Sequence, residues 1–156
     1  MGTQSVIIPD LNLLLYATNS QERRHVQAHR WWSMTLSGHV PVGLPWMVVM
    51  GFIRITTGPH YSGVPVPVDS AMSAIREWHS AECVRMINPR EEHLHIVERL
   101  LISRGVGGRH TMDAHLAALA IEHRGTIYSA DSDFAAFPSV SWVNPLDEAG
   151  APPALS

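Results

Sequence analysis

Three aspartates far apart in the chain, Asp10, Asp113 and Asp131, each stand where an apolar run meets a helix or a loop. Asp10 closes Ser5-Val6-Ile7-Ile8-Pro9 and opens Leu11-Asn12-Leu13-Leu14-Leu15-Tyr16, Asp131 closes Thr126-Ile127-Tyr128-Ser129-Ala130, and Asp113 begins Ala114-His115-Leu116-Ala117-Ala118-Leu119-Ala120-Ile121. Carboxylates brought to one point repel one another unless a cation neutralises them. Magnesium takes a few carboxylates together with waters and substrate phosphate oxygens, so the trio predicts a Mg2+ or Mn2+ site. A cation held this way activates water and stabilises charge on a phosphodiester in transit, which is nuclease or phosphatase chemistry. Aspartate after a strand or at a helix start is also an ordinary turn or cap residue. Position in the fold has to decide between the two.

The elements that would position these residues alternate between strand and helix. Ser5–Pro9 reads as a buried strand and Leu11–Thr18 as the helix after it, with a polar loop over Asn19–Arg24. His25–Ser37 is a partly buried helix carrying Val26, Trp31, Trp32 and Met34. His39–Val42 is a short strand, and Leu44-Pro45 opens an apolar helix that Thr57-Gly58-Pro59 stops. A loop over Tyr61–Pro67 precedes a helix capped by Asp69-Ser70 and running to about His79; Val84–Ile87 is a strand and Arg90–Arg104 an amphipathic helix. Thr111 is the expected N-cap of a helix over Met112–His123, with Gly125 as its stop, and Thr126–Ala130 and Val140–Val143 complete the strands. Parallel strands need crossover connections, so this alternation implies an α/β sandwich whose mostly parallel sheet, of about five strands, is covered on both faces. In such sheets ligands gather beyond the carboxyl ends of the strands, where Asp10 and Asp131 fall.

Composition bounds the alternatives. A chain of 156 residues with 46% hydrophobic content suits one domain, read here as residues 1–146 with a disordered tail over 147–156. The longest apolar stretch, Val40–Ile55, is broken by Pro41, Gly43, Pro45, Gly51 and Arg54 and falls short of the roughly 20 apolar residues of a membrane span. No secretory leader is evident at the N-terminus, and a cytoplasmic location follows as the default. Cys83, the one cysteine, sits in an apolar run and reads as a small buried hydrophobe, so no disulfide framework exists. A net charge of −3 argues against a protein that coats DNA through a broad basic surface. All eleven basic residues are arginine; the guanidinium fork suits bidentate phosphate contact, although a GC-rich coding sequence gives the same bias.

Three segments carry a resemblance. Pro9-Asp10-Leu11-Asn12-Leu13-Leu14-Leu15-Tyr16-Ala17, Thr111-Met112-Asp113-Ala114-His115-Leu116-Ala117-Ala118-Leu119-Ala120-Ile121-Glu122-His123 and Ser129-Ala130-Asp131-Ser132-Asp133-Phe134-Ala135-Ala136-Phe137-Pro138 look like the acidic segments of PIN-domain ribonucleases. The likeness is strongest to the toxins of bacterial VapBC toxin–antitoxin modules and runs from about Val6 to Leu146. It implies a PIN-like three-layer α/β/α sandwich and a Mg2+- or Mn2+-dependent endoribonuclease that cuts structured RNA, tRNA or rRNA, by metal-activated water. It also implies a homodimer inhibited by a cognate VapB-type antitoxin. Asp10, Asp113 and Asp131 take the metal-ligand and catalytic roles, Asn12, Ser129 and Asp133 are auxiliary candidates, and Arg54, Arg109 and His115 are candidates for RNA contact. Asp133 serves equally well as a turn cap.

One departure stands out. The family's usual glutamate in the helix Trp46–Thr57 is replaced by Gly51, and glycine inside a helix costs about 1 kcal/mol against alanine, which points to close packing or a backbone approach. A degenerate PIN domain that binds RNA or antitoxin without cutting is therefore the rival reading. An aspartate-nucleophile phosphatase would want a carboxylate at Asn12. Ten histidines, two of them at helical spacing in His25 and His29, lack the partners of a zinc motif. Gly105-Val106-Gly107-Gly108-Arg109-His110 follows a helix rather than a strand and lacks the last glycine of a dinucleotide fingerprint. Trp31 and Trp32 read as core or partner contacts.

Overall fold

The computed structural model describes residues 5–61, 63–105 and 107–147. Strand β1 (Val6–Pro9) leads into helix α1 (Leu11–Thr18), and α2 (His25–Ser37) returns the chain to β2 (Val42–Pro45). Helices α3 (Trp46–Thr56) and α4 (Val68–Ser80) separate β2 from β3 (Val84–Ile87). Then come α5 (His93–Arg104), a 3₁₀ turn over Gly108–His110, α6 (Thr111–Glu122), β4 (Gly125–Tyr128), a second 3₁₀ turn over Ser132–Ala136, and β5 (Trp142–Val143).

The five strands pair in the order β3-β2-β1-β4-β5, all parallel. The sheet grows from β1 one way through β2 and β3 and the other way through β4 and β5, so strand order reverses between β1 and β4. Both faces are covered, as a parallel sheet with helical crossovers requires. Adjacent residues of β1 serve opposite layers: Ile7 packs with α1–α4, Ile8 with α5, α6 and Phe134. In the first layer Trp78 meets Phe52 edge-on at 4.7 Å and Trp32 at 5.9 Å. Trp31 stacks on Tyr128 at 5.6 Å and packs against the first core layer, in which Trp32 is buried. Helix α2 is buried through Ala28 and Trp32, while Val26 and Met34 of the expected apolar set are exposed.

Several boundaries differ from the sequence expectation. β2 lies at Val42–Pro45 rather than His39–Val42, because pairing of Val42 with both Ile7 and Val84 sets its register, and Pro45 stays extended instead of opening a helix. Thr111 lies inside α6, with His110 before it and no side-chain cap. Asp69 sits in the first turn of α4 rather than capping it. α5 begins at His93, since Arg90–Glu92 form the preceding turn. β5 is confined to Trp142–Val143. Cys83 is half-buried, its thiol facing the carbonyls of Thr35 and Leu36. Of the expected tail, Asp147 is described and pairs with Arg24 at 3.6 Å, whereas 148–156 lie outside the described residues. No described helix is long and apolar enough to cross a membrane.

The stop after α6 is not Gly125. Arg124 takes the left-handed conformation, φ 53°, and Gly125 is the first residue of β4, paired with Val6. A Cβ on Gly125 would lie 2.9 Å from the Val6 carbonyl oxygen and 2.6 Å from Ile8 Cδ1, so the glycine is needed for strand approach. Gly125→Ala should cost about 1–3 kcal/mol in denaturant melts through overpacking. Arg124→Gly should match or exceed wild-type stability, because glycine adopts positive φ freely.

Candidate functional site

At the carboxyl ends of β1 and β4, on either side of the strand-order reversal, the sequence delivers Asp10 and the Ser129–Asp131 segment. The register pairs Pro9 with Tyr128, and the Asp10 N–H donates to the Tyr128 carbonyl at 2.9 Å. Asp10 is therefore directly beside Ser129. Ser129 is fully buried; its hydroxyl donates to Asp10 Oδ2 at 2.7 Å and accepts from the Asp131 N–H at 3.0 Å and from Asn12 Nδ2 at 3.1 Å. Asn12 Oδ1 in turn accepts from the Ala130 N–H. Two of the three auxiliary candidates, Asn12 and Ser129, thus tie the two strand ends together, and a fully buried Ser129 has no route to substrate.

Asp10 also caps α1, accepting from the Leu11 N–H at 2.8 Å. Gly51 bears on this point. A Cβ there would lie 2.8 Å from Leu11 Cδ2, so the departure from the family's glutamate is the close-packing case: α3 closes on α1 beside the residue that holds Asp10. Asp131 Oδ1 accepts from the Asp133 N–H at 2.9 Å, so it is Asp131 that caps the turn, and the Asp133 carboxylate has no hydrogen-bond or ion-pair partner among the described residues.

Helix α6 brings Asp113 to the same place from below the sheet ends. Burial raises its pKa first, and the charges of Asp131, Asp10 and Asp133 raise it further, with His110 opposing them. Asp10 is raised by burial, partly offset by its bonds to Ser129 and Leu11, and raised again by Asp131. Four carboxylates therefore share one field. The donor atoms that lie within 4.8 Å of one another belong to Asp113, Asp133 and His110. His110 was not singled out in the sequence, and the signal available was its place three residues before Asp113, one helical turn away on the same face. Its Nδ1 is shielded from water, has no hydrogen-bond partner among the described residues, and stands 3.6 Å from Asp113 Oδ2. Hard oxygen donors around an orphaned imidazole nitrogen are a donor set suited to a divalent cation.

The three candidates for RNA contact divide. Arg109 is exposed on the turn that carries His110 and has no ion-pair partner among the described residues. Arg54 does not pair with Asp113; it lines a groove of about 630 Å³ with Asn19, Glu22, His60 and Tyr61, away from the aspartates. His115 turns to the far side of α6, where its Nδ1 meets His93 Nε2 at 2.7 Å, and His93 in turn contacts Glu122. Burial and then His93 push its pKa down.

Comparison with known proteins gives the arrangement a setting. The chain is 40% identical over 143 residues to Ribonuclease VapC33 of Mycobacterium tuberculosis, covering 92% of this chain and 100% of that one. It is 39% identical over 138 residues to Ribonuclease VapC37 of the same organism, covering 88% and 96%. Among solved structures, VapC20 of Mycobacterium tuberculosis, described as a sarcin–ricin loop cleaving toxin, superposes with a TM-score of 0.63 at 19% identity over 83% of this chain and 93% of that one. VapBC2 of Rickettsia felis, bound to a promoter DNA fragment, gives 0.66 at 13% identity over 89% and 98%. No protein-family model matches the chain.

Crowded carboxylates have a measurable sign. A folded-state pKa above the ~3.9 of an unfolded aspartate contributes stability below that value and loses it as pH rises through the folded value. The metal-free protein should therefore lose stability from about pH 4 upward through the raised carboxylate range. Asp113→Asn should blunt that loss, raising the metal-free Tm at neutral pH by roughly 2–4 °C while reducing the added stabilisation by Mn2+. A variant that melts below wild type at neutral pH in EDTA would remove the repulsion from the account.

Proposed function

The chain belongs to the VapC family of PIN-domain ribonucleases, and we propose that it is an active Mg2+- or Mn2+-dependent endoribonuclease toxin that cleaves structured RNA, tRNA or rRNA. The observation that carries this reading is the convergence of Asp10, Asp113, Asp131 and Asp133 at the strand-order reversal, with Asp10 and Asp113 both raised by burial and by their neighbours. Asp10, Asp113 and Asp131 would hold the cation, with Asp133 beside them. When bound, a divalent cation supplies charge neutralisation at the scissile phosphate and acidifies water.

The chain's own residues supply the rest. Ser129 and the Leu11 N–H fix the Asp10 carboxylate from two directions, so its oxygens need little reorganisation when charge develops on the substrate. Asp131 is fixed by its turn. Arg109, exposed beside the cluster's 3₁₀ turn, is suited to a bidentate phosphate contact, and Arg54 to backbone farther along the RNA. Hydrolysis adds water at phosphorus and breaks the P–O3′ bond, leaving a 5′-phosphate and a 3′-hydroxyl. Specificity comes from groove shape and flanking loops rather than from the aspartates. The same reading includes a cytoplasmic location, a homodimer and a VapB-type antitoxin that covers the acidic cluster. Trp46 and Met50, one turn apart on α3 and both about half exposed, offer apolar surface for such contacts.

Inducible expression of wild type should arrest bacterial growth, and Asp10→Ala should not, with cleaved RNA carrying 5′-phosphates in the first strain only. Equal growth of both strains would favour the non-cutting binding module that Gly51 suggested. Light scattering of the purified protein should give twice the monomer mass; a monomer at micromolar concentration would remove the homodimer.

A further inference from the structure

The cluster holds one donor that the three acidic segments do not account for. His110 ends the 3₁₀ turn Gly108–His110 and runs directly into α6, so its position relative to Asp113 is set by helical geometry. Its side chain is largely buried, at 19% exposure, and Nδ1 itself is sealed from water without a hydrogen-bond partner. Buried polar atoms are nearly always satisfied, and an exception points to an absent water, ligand or ion. Asp113 does not satisfy it, because 3.6 Å is too long for a hydrogen bond. That spacing instead suits two neighbouring ligands of one small cation, which with bonds of about 2.1 Å stand roughly 3–4 Å apart. Asp133, freed by Asp131's role as turn cap, closes the set within 4.8 Å.

We infer that His110 is a nitrogen ligand of the divalent cation, acting with Asp113 and Asp133 in place of the carboxylate that Gly51 leaves out, and that it tilts the site toward Mn2+ and away from Mg2+. The second half follows from ligand chemistry. Magnesium takes oxygen almost exclusively, whereas imidazole suits first-row transition metals. A site of aspartates alone has no such preference built in. The packing of Leu11 under Gly51 means that a glutamate at 51 would first have to displace that side chain. The inference rests on the metal-dependent reading proposed above. The alternative use of His110 is a plain ion pair with Asp113, which would affect stability but give no metal preference.

The test uses the full chain without RNA. Mn2+ and Mg2+ titrations by calorimetry should show tighter Mn2+ binding, and pulsed EPR of the Mn2+ complex should show nitrogen modulation from a directly bound imidazole. His110→Ala should lose about tenfold or more in Mn2+ affinity, change Mg2+ affinity little, and lose the nitrogen modulation. His115→Ala should retain that modulation. If His110→Ala fails to fold, the wild-type spectrum beside His115→Ala still decides. Mn2+ bound with no nitrogen modulation, but lost in Asp113→Asn, would overturn the role of His110 and leave the nuclease reading standing. No binding of either metal would overturn both.

Discussion

A single buried hydroxyl holds the site together. Ser129 lies at the end of β4 with no exposure, and its Oγ joins Asp10 of the neighbouring strand end, the backbone of Asp131 and the side chain of Asn12. A hydroxyl offers one proton and two lone pairs, and here the proton and both acceptor directions are used. Asp10 and Asp131 are therefore set relative to each other by one atom rather than by two independent loops. The parallel register that pairs Pro9 with Tyr128 is the condition for this contact. A slip of one residue would turn the serine to the opposite face and separate the two aspartates.

Helix α6 carries the opposing demands of the fold. Ala114, Leu116, Ala117, Ala118, Leu119 and Ala120 are all buried, which makes it a central helix rather than a one-faced one. Three of its polar residues are directed to particular neighbours. Glu122 takes His93 and the Arg90 N–H on the α5 side, His115 joins the same chain through His93, and Asp113 is sent to the acidic cluster. The small alanines allow α5 and the sheet to pack closely against it. The repulsion among the carboxylates is the cost of keeping that cluster assembled, and it is carried by the apolar packing around it.

The family relationship accounts for the position of the aspartates, while the departures define what is particular to this chain. At the position where the resemblance implies a glutamate, Gly51 lets α3 seat against Leu11, whose N–H donates to Asp10. His110 stands with Asp113 and Asp133, from a helix start that lies outside the three acidic segments. The nitrogen of His110 thus joins a donor set otherwise made of carboxylate oxygens.

Much of this was legible in the sequence because it is local. The apolar runs of β1 and β4, the helix over Leu11–Thr18, the three aspartates at element junctions and the alternation that demands a parallel sheet all follow from periodicity and turn chemistry over a few residues. The resemblance of three short segments then named the family. Tertiary structure decided what depends on contacts between distant parts of the chain: the placement of β2 by pairing with Ile7 and Val84, the role of Asp131 rather than Asp133 as turn cap, the commitment of His115 to α5, and the arrival of His110 beside Asp113. A histidine before a helix carries no mark of its function in sequence. Only the fold, by closing water off from one of its nitrogens, gave it one.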